Sequence, residues 1–124
     1  MMIRALLICL LTCCACVSRA QVHFEREFRD STLRIDYVFA GTDSTQRIAV
    51  DELKSFAGWA GRRVNLDRAP LKGNGEIVMR DVQDGHVMYK HSFSTLFQEW
   101  QSSEEATRVP RSFENVFLLP FPRR

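Results

Sequence analysis

No cysteine lies beyond residue 16, and this decides how the rest of the chain must hold together. All four cysteines (Cys9, Cys13, Cys14 and Cys16) fall in the first twenty residues. Small exported domains often offset a thin core with disulfides. Residues 21–124 have only apolar burial to rely on, which suffices for one domain of that length and not for two. The aromatic residues suit that task, since all nine Phe, both Trp and both Tyr come after residue 20.

The cysteine-bearing segment has the layout of an export signal. Met1-Met2-Ile3-Arg4 is a short basic start, Ala5 to Val17 is apolar except for Thr12, and Ser18-Arg19-Ala20 places small residues before a cut. The apolar run is shorter than the roughly 20 residues a membrane-spanning helix needs. A leader over residues 1–20 and an exported chain starting at Gln21 are therefore expected, in the periplasm, the cell envelope or outside the cell. A second cut is open: Cys16 follows the small Ala15, as the lipidated cysteine of a bacterial lipoprotein would.

Removing the leader changes the charge. The whole chain has 17 Lys+Arg and 15 Asp+Glu. Arg4 and Arg19 lie in the leader and no acid does, so residues 21–124 are formally neutral. A nucleic-acid binder shows a clustered surplus of Lys and Arg. Here the signs alternate, and Asp67 interrupts the densest group, Arg62, Arg63, Arg68 and Lys72. No nucleic-acid partner is expected.

After the leader the apolar period is mostly two, the mark of strands with one buried face. Thr32 to Phe39 sets Leu33, Ile35, Tyr37 and Phe39 on one side, and Gly41-Thr42-Asp43-Ser44 breaks the run. Arg47 to Leu53 is a second strand with Ile48 and Val50 inward. Glu76 to Val82 is a third. Val87 to Phe93 is a fourth, with Val87, Tyr89, His91 and Phe93 on one face. Between the last two, Gln83-Asp84-Gly85-His86 supplies the positive-φ glycine of a hairpin. Ser112 to Pro120 is a fifth, offering Phe113, Val116, Phe117 and Leu119 to a core, and His23 to Phe28 is a weaker sixth. Ser102 to Ala106 has a cap and acids that start a helix, and Pro110 ends it. The pattern predicts an all-β, two-sheet β-sandwich, immunoglobulin-like or jelly-roll-like, with at most one short helix.

The search for chemistry is negative. His23, His86 and His91 are the only histidines, and no H-E-x-x-H pair occurs. His86 and His91 read as a turn histidine and a half-buried strand histidine on opposite faces, unable to share a metal. No G-x-S-x-G elbow occurs, and Ser92, Ser94 and Thr95 lack a neighbouring base. Glu104-Glu105 reads as charge complementing a helix start rather than as carboxylates facing each other across a glycosidase cleft. Gly58, Gly61, Gly73 and Gly75 form no phosphate cradle. No catalytic residue, metal ligand or cofactor-binding residue is expected.

Three segments are richer in unusual residues than a strand requires: Trp59 to Leu66, Phe93 to Gln101, and the strand Thr32 to Tyr37. Their rings can form a platform for sugar or peptide. The core of a disulfide-free domain must come from somewhere, and that reading is preferred, with Leu96 among the rings.

These segments carry a resemblance. The Thr-Leu-Arg-Ile-Asp-Tyr strand (Thr32–Tyr37), Trp-x-Gly-x-Arg-x-Asn-Leu (Trp59–Leu66), Phe-Ser-x-Leu-Phe-x-Glu-Trp-Gln (Phe93–Gln101) with Glu105-Ala106 after it, and the closing Pro-Phe-Pro (Pro120–Pro122) resemble the N-terminal domain of the IgA-peptidase family of zinc metallopeptidases, metallopeptidase family sixty-four. The third run is the specific one. The resemblance spans Phe24 to Pro122 and implies an exported bacterial β-sandwich domain ahead of a catalytic domain. The H-E-x-x-H helix of that catalytic domain has no counterpart here, so no catalytic or zinc residue carries over. The chain is expected to be a non-catalytic accessory domain over residues 21–122, with 123–124 starting a linker. Its expected partner is a metallopeptidase catalytic domain that it helps to fold or dock, and its only membrane contact a lipid on Cys16. The alternative is a stand-alone cell-surface module binding glycan or protein.

Overall fold

The computed structural model describes residues 21–69 and 71–124; the leader and the Cys16 lipidation position lie outside them. The elements run α1 (Phe24–Glu27), β1 (Phe28–Gly41), β2 (Gln46–Ala57), β3 (Gly75–Arg80), β4 (Val87–Phe93), α2 (Leu96–Gln101), a 3-10 turn (Glu105–Thr107) and β5 (Arg111–Pro122). β1 is the centre of an antiparallel sheet in the order β2-β1-β5, and β3 pairs antiparallel with β4 in a second sheet. The fold is all-β in two sheets, as the period of two predicts.

Register decides which side chains face the second sheet. Leu33, Ile35, Tyr37 and Phe39 of β1 lie opposite Leu119, Phe117, Asn115 and Phe113 of β5. In antiparallel pairs directly opposed residues share a face, so these residues make one inner surface. Two clusters fill the space behind it. One is built from Phe24, Phe28, Trp59, Leu66, Met88, Tyr89 and Leu119. The other gathers Tyr37, Phe39 and Phe97, with Phe93, Trp100 and Phe113 against them. Phe117 packs against both and stacks on Tyr37 at 4.1 Å between ring centroids. Burial pushes the Tyr37 hydroxyl up to about 12, because a phenolate would have to leave water.

The β3–β4 hairpin forms where expected. Gly85 takes a φ of 76°, and Ile77 pairs with His91 and Met79 with Tyr89. The third strand stops at Arg80 rather than Val82. Asp81 turns the chain by accepting a hydrogen bond from Gln83 N on Oδ1 at 2.7 Å, which leaves Val82 exposed in the loop.

Several expectations are corrected. His23 to Phe28 does not start as a strand: Phe24–Glu27 is one helical turn. Phe24 and Phe28, four apart, come to one side of it and touch with centroids 5.6 Å apart. The helix expected from Ser102 lies earlier, at α2. Thr95 caps it, its Oγ1 accepting from Gln98 N at 3.2 Å, while residues 105–107 tighten into the 3-10 turn. The described residues thus hold two short α-helices and a 3-10 turn where at most one short helix is expected. Val116 of β5 faces away from the core and is exposed, since the period of two places Asn115 and Phe117 inward. His91 is exposed rather than half-buried. Leu96 is 67% exposed on α2, not among the rings. Ile48 and Val50 share the inner face with Phe39 and Tyr37, their register partners, yet are 59% and 62% exposed. The direction holds and the burial does not, because the second sheet has only two strands and does not extend over β2.

Candidate functional site

The three histidines divide between two cavities. His91 lines one of about 520 Å³, beside Trp59, Arg62 and Tyr89. His23 and His86 line another of about 490 Å³, with Glu27, Asp67 and Asp84. His86 and His91 therefore serve different cavities, in keeping with their separation in sequence. At His86, Nδ1 lies 2.6 Å from Asp84 Oδ1, and that oxygen also accepts the His86 backbone N–H at 3.0 Å. The Asp84 hydrogen bond raises the imidazole above its usual range, with the Asp84 and Glu27 charges adding to it. The His86 backbone N–H in turn holds Asp84 below the usual carboxylate range. Asp81, buried in the same turn, is lowered first by the Gln83 N–H and pairs with Arg124 Nε at 2.9 Å. Arg123 Nε donates to Glu25 O, so residues 123 and 124 are both tied back to the domain.

Glu104, Glu105, Ser92 and Thr95 have structural duties. Glu104 pairs with Arg108. Glu105 pairs with Arg111 and accepts from Trp100 Nε1 at 2.8 Å; these donors, Arg111 first, lower its carboxyl. Ser92 Oγ donates to Gly75 O, and Thr95 is occupied as the α2 cap. None of these is set beside a base as a nucleophile would be.

Two of the three unusual segments turn out to be clasps, the third being part of β1. In Trp59 to Leu66, Trp59 is buried and its Nε1 donates to Arg62 O at 3.0 Å. Arg62 lies over the Tyr89 ring at 4.7 Å and donates to the Leu66 and Lys90 carbonyls. Arg63 lies over Phe24 at 4.4 Å and pairs with Asp30 at 2.6 Å. Asp30 also accepts Trp59 N, and that bond, ahead of Arg63, holds its carboxyl low. The loop thus seals the first core cluster. In Phe93 to Gln101, Phe97 is fully buried, and Trp100 packs on Phe97 and Phe113 with centroids 5.7 Å away in each case. Gln101 Nε2 donates to Thr42 O and Thr45 O, fastening the β1–β2 turn. The ring platform is not formed; the rings are taken up by the core.

What is left uncovered is the inner face of β2, where Ile48, Val50 and Leu53 are exposed on the surface that elsewhere builds the core. Sequence reasoning missed it because alternation reports which way a side chain points, not whether anything covers it. Residues 23–124 match the family model described as Peptidase M64 N-terminus. The chain belongs to that family. Its M64 N-terminal domain contains all four segments that carry the resemblance, and Tyr37, Trp59, Leu66 and Phe97 among them are buried in the core. No curated protein matches the chain. The matched region is the N-terminal part of these peptidases.

Proposed function

We propose that this chain is an exported, non-catalytic accessory domain of an M64 metallopeptidase that acts as a docking and folding partner for a protease domain. One observation carries the reading: the uncovered row of Ile48, Val50 and Leu53 continues the core face of the sheet past the edge of the second sheet. A stable domain gains by covering such a row, each side chain contributing on the order of 1 kcal/mol or more when buried. Belonging to the Peptidase M64 N-terminus family makes a protease domain the fitting cover. The leader over residues 1–20, export to the envelope, and a single accessory domain over 21–122 belong to the same proposal.

The test is to mix the chain with a separately produced protease domain from a family member that carries H-E-x-x-H. Complex formation, weakened by Ile48→Asp and Leu53→Asp, is the expected result. A chain that stays free at high micromolar concentration, or binds equally well with both substitutions, rejects docking through β2.

A further inference from the structure

We propose that the cavity between α1 and the β3–β4 turn is a divalent transition-metal site in which His86 Nε2 and the Glu27 carboxylate are ligands and Asp84 orients the imidazole. Three observations converge there. First, Glu27 Oε2 is buried and has no hydrogen-bond partner among the described residues, on a side chain only 13% exposed. Native structures rarely leave a buried polar atom unsatisfied, and a carboxylate oxygen is satisfied by a cation as well as by a donor. Second, Glu27 Oε1 lies 3.6 Å from His86 Nε2. That is too long for a hydrogen bond, yet close to the spacing of about 3.3 Å between two ligands held tetrahedrally on bonds of about 2.0–2.1 Å. Third, the other imidazole nitrogen, Nδ1, is held by Asp84 at 2.6 Å. A carboxylate on the far nitrogen is the usual support of a metal-bound histidine, fixing its tautomer and direction.

His23 at the entry to α1 and Asp67 from the clasp loop also line the cavity. Asp81 lies within 4.8 Å of the Asp84 and His86 ligand atoms, but its two oxygens are already engaged by Gln83 N and Arg124, which makes it the anchor of the turn. Arg26 and Arg80 also line the cavity, and Arg80 is directed to Gly85 O. Against them stand the carboxylates of Glu27, Asp67 and Asp84. Mixed imidazole and carboxylate donors suit zinc and its first-row neighbours, whereas calcium takes six to eight oxygens. The expectation that no metal is held rested on His86 and His91; the partner of His86 is instead Glu27, whose place beside the hairpin is set by α1 forming where a strand was expected.

The experiment is calorimetric titration of the chain with zinc, its four cysteines alkylated beforehand so that thiols cannot bind the ion. Calcium serves as the comparison, and circular dichroism confirms that each variant is folded. The wild type is expected to bind one equivalent of zinc, with a rise in thermal midpoint that calcium does not reproduce. Glu27→Gln and His86→Gln should each abolish binding. Asp84→Asn should weaken it by about 10–100-fold, the usual effect of removing a supporting carboxylate, and His91→Gln should leave it unchanged. The proposal is overturned if the folded wild type takes up no stoichiometric zinc, if folded Glu27→Gln and His86→Gln bind as the wild type does, or if His91→Gln removes binding.

Discussion

Gly85 and Gly61 both interrupt the chain at turns, yet an added methyl group meets opposite surroundings at the two. A Cβ on Gly85 has nothing within 4 Å, and its φ of 76° is the sole obstacle. Gly85→Ala is therefore expected to cost only the left-handed penalty, about 1–2 kcal/mol. A Cβ on Gly61 would collide with the Trp59 ring, so Gly61→Ala must displace an indole that closes the core. Urea denaturation should rank Gly61→Ala as the more damaging; the reverse order would show that the clasp gives way easily. Asp30 supplies a pH dependence. Its carboxyl is held low by Trp59 N–H and Arg63, so its stabilising contribution is present above about pH 4 and lost as pH falls through the lowered folded value. The stability gap between wild type and Asp30→Asn should thus be widest at neutral pH and close on acidification. A gap that stays constant from pH 7 to pH 3 would contradict this. The Asp84-Gly85 turn was legible because a positive φ selects glycine locally. The Asp30–Trp59–Arg63 clasp was not, since its members lie about thirty positions apart and nothing local links them.

Among the elements, α2 shows what a short helix does in a sandwich. It sets Phe97 against Tyr37 and Phe39 in the second core cluster, and turns Trp100 toward Phe113. Phe97→Ala is expected to cost about 3–5 kcal/mol, as deletion of a fully buried ring does. Trp100→Ala should cost less, because the indole is half-buried and part of its worth is one hydrogen bond to Glu105. Thermal melts in which Trp100→Ala is the worse of the two would mean that the indole carries the second core cluster. Strand existence was readable from the period of two, and β4 begins and ends where that period does. The helices were not. α1 spans a single turn, too short for a period of 3.6 to declare itself, and Phe24 and Phe28 around three charged residues fall on one face of a strand as well as of a helix. α2 is likewise set by its cap and by Phe97 finding a cavity, a matter of tertiary packing.

For the molecule as a whole, three strands face two, and the imbalance is the source of its uncovered surface. The sequence placed Ile48 and Val50 on the inner face correctly; that they remain exposed depends on how many strands the opposite sheet has, which no single strand records. The family segments likewise proved to be the fastenings of this scaffold, so the resemblance in them marks the fold, while the surface offered to a partner lies between them on β2. Hydrogen exchange followed by mass spectrometry, on the chain alone and with a protease domain of the family, tests that account most directly. Added protection is expected in peptides covering Gln46–Ala57, with little change in β5 or the β3–β4 turn. Protection confined to those other elements, or none anywhere when the two domains are mixed at saturating concentration, would contradict it.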